Sequence, residues 1–175
     1  MKLIKTKFSG IFKIKGNKKK DDRGYLLRNF CKNELKKKSI NFNIKQTNIS
    51  YNKSKGTFRG FHYQKKPNSE KKIINCFKGS IFLYVLDIDK KSENYLHSLK
   101  FLLKENDTNS IYISKNYATA FITLKKNTII FYYMSEFFVP SKSAGIKFDD
   151  PKIKINLPFK PKVISKKDLN IKLLK

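Results

Sequence analysis

Arginine is scarce in this chain. Of 40 basic residues only three, Arg23, Arg28 and Arg59, are arginine. The formal net charge of +27 would suit nucleic acid, but readers of base edges depend on the guanidinium fork. The lysines are also spread along the whole sequence, not gathered on one helix or tail. A composition biased toward lysine, asparagine and isoleucine accounts for the charge, and no nucleic acid partner is expected. A positive field still speeds the arrival of small anions. Cysteine is limited to Cys31 and Cys76, with no CxxC spacing, which argues against a disulfide framework or a zinc site. Cys76 follows Ile73-Ile74-Asn75 and is expected to be buried. Histidine is limited to His62 and His97, too few for a histidine-clustered metal centre, so neither metal nor cofactor is expected. No apolar window approaches a bilayer span. Met1 to Phe8 has no apolar h-region and no small-residue cleavage site. A cytoplasmic protein with no membrane partner is expected.

What is present fits one globular domain over 1–175, since 39% of residues are hydrophobic and 14% aromatic. There is no internal repeat and no low-complexity linker. Lys18-Lys19-Lys20-Asp21-Asp22 reads as an exposed loop ending at Arg23-Gly24. Cys31 to Lys38 reads as a short helix with a lysine-rich C-terminal end. Phe42 to Ser50 alternates apolar and polar side chains as a strand does. Lys72–Phe77 and Ile81–Ile88, separated by Lys78-Gly79-Ser80, read as a hairpin. Leu99–Leu103, Ser110–Ile113, Ala118–Leu124 and Thr128–Met134 extend the series of short strands. The pattern predicts an all-β sandwich or barrel. The segment 151–175, with Pro158 and Pro161, is expected to wrap around it and to include a short helical piece.

Gly56-Thr57-Phe58-Arg59-Gly60-Phe61-His62-Tyr63-Gln64 is the most informative stretch. Imidazole suits proton transfer near neutral pH, and guanidinium fits a phosphate. A base beside an anion clamp on strands points to proton chemistry on a phosphorylated or nucleotide-linked small molecule. An aromatic-flanked histidine packed in a strand is the competing reading. His97 has no accompanying motif and reads as a surface residue.

Further landmarks occur in order around it: Asp21-Asp22-Arg23-Gly24-Tyr25, Gln46-Thr47-Asn48-Ile49-Ser50 and Lys72-Ile73-Ile74-Asn75-Cys76. Gly79, Asp87-Ile88-Asp89 and Ser92 follow. The series ends with Gly145-Ile146-Lys147-Phe148-Asp149-Asp150-Pro151 and Ile164-Ser165-Lys166-Lys167-Asp168. With these in register, the chain resembles the cupin-fold dTDP-4-dehydrorhamnose 3,5-epimerases over nearly its whole length. The resemblance implies a cupin-type jelly roll with a few short helices and a metal-free pocket. It also implies a homodimer that exchanges N-terminal strands, and a nucleotide-sugar substrate.

The resemblance further implies roles for single residues. His62 matches the family's base and Asp168 the carboxylate that holds it. Lys72 matches the lysine that steadies the enolate oxygen, although Lys71 stands next to it. Tyr132 matches the acid across the sugar ring, and Tyr133 is expected on the opposite face of the strand. Arg59 and Arg23 match the diphosphate-binding arginines, the second reaching in from the partner subunit. Gln46 and Asn48 match the nucleotide end. The sequence departs from the family at four places. Thr119 stands where a second histidine is usual, and Phe137-Phe138 where tyrosine is usual. Arg28 replaces an acidic residue and Leu26 an aromatic one. Thr119 and Phe138 are therefore candidate substrate contacts that leave open the nucleotide and the number of carbons inverted. A 3,4-ketoisomerase and a non-catalytic sugar-nucleotide-binding cupin are the alternatives.

Overall fold

Between Lys78 and Ser80 the backbone turns through Gly79 at φ +79°, where an added Cβ would lie 2.4 Å from the Thr128 hydroxyl oxygen. That turn carries the chain from one sheet to another. A computed structural model describes residues 1–174. The first sheet contains β1 (Lys2–Lys5), β2 (Ile11–Lys15), β5 (Gln46–Asn52), β7 (Lys72–Lys78), β10 (Asn109–Ile113) and β12 (Thr128–Met134). The second contains β6 (Phe58–Gln64), β8 (Ser80–Asp87), β9 (Ser98–Lys104), β11 (Tyr117–Thr123) and β13 (Ser143–Gly145). The orders are β1-β2-β10-β7-β12-β5 and β13-β6-β11-β8-β9, with every pairing antiparallel. A separate ribbon joins β3 (Lys18–Asp21) to β4 (Gly24–Leu27). The short helices are α1 (Lys32–Lys36) and α2 (Lys166–Leu169).

This is the expected all-β sandwich, with three local corrections. The segments flanking Gly79 are strands but not a hairpin: β7 pairs with β10 and β12, and β8 with β9 and β11. Phe42 and Ile44 lie before β5, outside any strand; Phe42 packs with Leu35, Ile40 and Tyr112 under α1. Lys18–Asp21 is a strand, because its partner β4 supplies a ladder that its charged side chains do not oppose.

The two sheets enclose a core of Ile11, Ile74, Ile81, Leu83, Val85, Ile111 and neighbours. On β11 the period-2 alternation sends Ala118, Ala120 and Ile122 outward and Thr119 and Phe121 inward. The outward residues, with Phe58 and Phe61, are covered by the C-terminal segment through Ile153, Ile155, Leu157 and Phe159. Ile153 is buried and the other three are partly buried; full burial of one such side chain contributes about 1.5–3 kcal/mol, so Ile153 is the firmest of these anchors. No described helix is long and apolar enough to cross a membrane.

Candidate active site

Strict alternation would place Arg59 and His62 on opposite faces of β6, since they are three positions apart. The ladder to β11 shows how they come together. Phe121 pairs with Arg59, but Thr119 pairs with His62, so β6 carries one extra residue between them. Such a bulge re-aims side chains. Here Gly60 occupies φ +125°, and a Cβ there would sit 2.5 Å from the Ala120 Cβ. Only glycine lets β6 bulge this close to β11. The result is that both Arg59 and His62 face the space between the sheets.

The C-terminal segment supplies the partner of His62. Thr57 bridges Val163 in parallel, and the Phe58 N–H donates to the Val163 carbonyl. Ser165 caps α2 by accepting from the Asp168 N–H at 3.0 Å. This N-cap turns the Asp168 carboxylate back toward the bulge. His62 Nε2 and Asp168 Oδ1 are 2.8 Å apart, and Gly60 N–H lies 3.4 Å from Oδ2. Burial alone would raise the Asp168 pKa; the His62 hydrogen bond and charge, with Gly60 and Ser165, overrule it and hold it below the usual value. Asp168 is thus a carboxylate at neutral pH and accepts from Nε2–H. That tautomer leaves Nδ1 with the lone pair. The ring is 44% exposed while the carboxylate is 4% exposed, so the imidazole is accessible and its support is not.

The cavity beside this pair has a volume of about 620 Å³. His62, Arg59 and Thr119 line the wall formed by the second sheet; Tyr132, Gln46 and Asn48 line the facing wall formed by the first. Burial raises the Tyr132 pKa, partly offset by the Arg59 charge, so the phenol keeps its proton at neutral pH. Tyr133 faces away, accepting from Asn29 and packing on Phe30. Phe138 is exposed at the cavity mouth, its N–H donating to Gln46 Oε1 at 2.9 Å. Gln46 in turn donates to Asn48 Oδ1.

The geometry separates Lys72 from Lys71. Lys71 turns outward to the Asn41 carbonyl. Lys72 is buried and crosses between the sheets, with Nζ 3.3 Å from the His62 carbonyl and 3.1 Å from Thr119 Oγ1. Its third partner is Glu70, at 2.9 Å, with side-chain exposures of 10% and 4%. Sequence reasoning missed Glu70. The available signal was an acid two residues before Lys72 in a chain with only 13 acidic residues. Breaking such a buried pair costs about 3–5 kcal/mol, so Glu70 fixes Lys72 in place.

Nine of the ten candidate residues therefore meet at one cavity: His62, Asp168, Tyr132, Lys72, Arg59, Gln46, Asn48, Thr119 and Phe138. Arg23 does not. It sits at the tip of the β3–β4 ribbon, 90% exposed, and among the described residues its guanidinium pairs only with Asp21. Among the described residues no three His, Cys, Asp or Glu side chains gather as a metal site requires.

A donor–acceptor pair on one wall and a protonated phenol on the other can move protons at both faces of a bound ring. The comparisons agree with that chemistry. A family model described as dTDP-4-dehydrorhamnose 3,5-epimerase matches residues 5–175. The Sinorhizobium fredii dTDP-4-dehydrorhamnose 3,5-epimerase is 30% identical over 156 residues, 89% of this chain and 80% of the relative. The crystal structure of the Bacillus anthracis dTDP-4-dehydrorhamnose 3,5-epimerase, with TDP and PPi bound, has a TM-score of 0.95 at 28% identity and covers 99% of each chain. The Legionella pneumophila dTDP-6-deoxy-D-glucose-3,5-epimerase in complex with dTDP-4-keto-L-rhamnose has a TM-score of 0.92 at 25% identity, covering 98% of this chain and 92% of that one. The sandwich is thus of the cupin type, and this chain belongs to the dTDP-4-dehydrorhamnose 3,5-epimerase family, a family of isomerases.

Proposed function

We propose that this protein inverts C3, C5 or both of a nucleotide-linked 4-keto-6-deoxy sugar through an enolate. The observation that carries the reading is the His62–Asp168 pair facing Tyr132 across one cavity. A ketone at C4 acidifies the hydrogens on C3 and C5. His62 Nδ1 removes one, and the electron pair moves through the new C=C bond onto the carbonyl oxygen. Asp168 supports the imidazolium that forms. Tyr132 then protonates the same carbon from the opposite face, which inverts it. The Lys72 ammonium, 3.1 Å from Thr119 Oγ1 at the cavity, favours the negative charge that develops on the carbonyl oxygen; oxyanion stabilisation at such a site is worth on the order of 3–4 kcal/mol. Arg59, held by Asn52 at 3.0 Å, binds the diphosphate, and Gln46 and Asn48 meet the nucleoside. The test is incubation with 4-keto nucleotide sugars in deuterated water. Mass spectrometry should show deuterium at C3, C5 or both, with the epimer appearing by NMR. Uptake with a 3-keto product instead would identify a ketoisomerase, and binding without uptake a non-catalytic cupin.

The position of Arg23 supports a homodimer. Strands β1 and β2 pair with each other, and β2 pairs with β10 of the same chain. Among the described strands, the one N-terminal unit left to reach a second subunit is the β3–β4 ribbon. An isolated two-stranded ribbon is marginal in water, and this one exposes Tyr25 and Leu26. The edge strand β5 offers it a seat. Its Gln46, Asn48 and Ser50 line the cavity while Ile49 and Tyr51 are exposed on the other side, near the stacked Phe77 and Phe131. A partner's ribbon laid along β5 brings Arg23 to the cavity rim. Complementation checks this. Arg23→Ala and His62→Ala proteins, each impaired alone, should regain activity when refolded together, because a mixed dimer holds one site with both residues. No recovery in a dimer shown by light scattering to be mixed would refute the shared site.

A further inference from the structure

The three N–H protons of the Lys72 ammonium meet three acceptors inside the protein: Glu70 Oε1 at 2.9 Å, Thr119 Oγ1 at 3.1 Å and the His62 carbonyl at 3.3 Å. None is left to point at a ligand. Thr119, by contrast, accepts from Lys72 and makes no other side-chain hydrogen bond among the described residues. Its hydroxyl has one proton to give. Thr119 lines the cavity and is the direct ladder partner of His62, which places its Cα about 4.5–5.5 Å from that of the base.

Resting on the proposed enolate chemistry, we propose that the Thr119 hydroxyl is the group that touches the substrate's ketone oxygen, and that Lys72, fixed by Glu70, acts through it. As His62 takes the carbon-bound proton, the carbonyl π pair moves onto oxygen. The Thr119 O–H donates a hydrogen bond to that oxygen and keeps its proton. The Lys72 ammonium, bonded to Thr119 Oγ1, polarises the hydroxyl and strengthens the donation, as charge-assisted and linked hydrogen bonds do. When Tyr132 delivers its proton, the pair returns and the carbonyl is restored. In this order Thr119 is a catalytic residue, and Lys72 and Glu70 are positioning residues. The same arrangement explains how a short hydroxyl serves at the site: the cation behind it supplies what a neutral alcohol lacks.

Thr119→Val removes the hydroxyl at similar shape, and Thr119→Ser retains it. Removal of one oxyanion donor lowers kcat by about 10²–10³-fold, so deuterium uptake by Thr119→Val should fall by about that factor at saturating substrate, with KM little changed. Thr119→Ser should restore most of it. Affinity for dTDP, which engages the far end of the cavity, reports that the valine variant is folded. Wild-type uptake by a well-folded Thr119→Val protein overturns the proposal and assigns the contact to Lys72 directly. A crystal structure with dTDP-glucose gives a readout independent of turnover. Sugar O4 within hydrogen-bond distance of Thr119 Oγ1 supports the proposal, and O4 bound by Lys72 Nζ alone overturns it. Absence of uptake by the wild-type protein sinks the enolate reading and is told apart from failure of the Thr119 role by this crystallographic contact.

Discussion

His62→Ala is expected to lower solvent-deuterium incorporation by about 10²–10⁴-fold, the contribution of a positioned general base. dTDP binding should persist, because Arg59, Gln46 and Asn48 stand on other parts of the cavity wall. The size of the effect follows from the way the imidazole is held. Asp168 is buried and ionised, and it fixes Nε2–H, so the free nitrogen is Nδ1. Water entering the space left by the ring is not held as the imidazole is: Asp168 Oδ1 loses its partner, while the Gly60 N–H stays at Oδ2 and the Ser165 hydroxyl stays on the Asp168 backbone N–H. Asp168→Asn should show a related defect, since an amide supports the imidazolium poorly and leaves the tautomer unfixed. Deuterium uptake at the wild-type rate in a folded His62→Ala protein would falsify the assignment of the base.

The pairing of His62 with Asp168 spans 106 residues, and no local pattern connects them. The family resemblance brought Asp168 into view; residue-level reading saw only a carboxylate in a polar tail. The structure adds the physical link, a parallel bridge at Thr57–Val163 followed by a capped turn. Strand existence was largely legible, and Thr128–Met134 was read with its observed bounds. Strand partners were not. The Gly79 turn looks like a hairpin because its flanking residues carry no information about Ile111 and Ile130, the distant residues that β7 pairs with. The alternation of Phe42 and Ile44 is real, but α1 satisfies their burial without a ladder. Arg59 and His62 fall on one face only because of the bulge at Gly60, and alternation alone would have separated them. Glu70 was missed because a carboxylate followed by two lysines looks solvated until the fold buries it.

Tyr132→Phe is expected to separate proton removal from inversion. His62 remains, so the carbon acid still ionises and deuterium still enters, but from the face on which the base stands. Without a donor opposite, the configuration is retained. The recovered starting sugar should therefore carry deuterium while epimer formation falls by about 10²–10⁴-fold. Mass spectrometry of the recovered substrate, read against the epimer ratio by NMR, measures both on one sample. The wild-type pH profile carries the same signature. Burial raises the Tyr132 pKa and Arg59 only partly offsets it, so the acid form persists throughout the range below the ordinary tyrosine value of about 10, and inversion should not lose its donor until the pH exceeds that. A Tyr132→Phe protein that inverts as fast as it exchanges would show that the second proton comes from elsewhere. Equal loss of exchange and inversion would place Tyr132 in substrate binding instead. The facing-wall geometry predicts neither: Tyr132 lies on β12 of one sheet and His62 on β6 of the other, and the proposed reaction has the sugar ring between them.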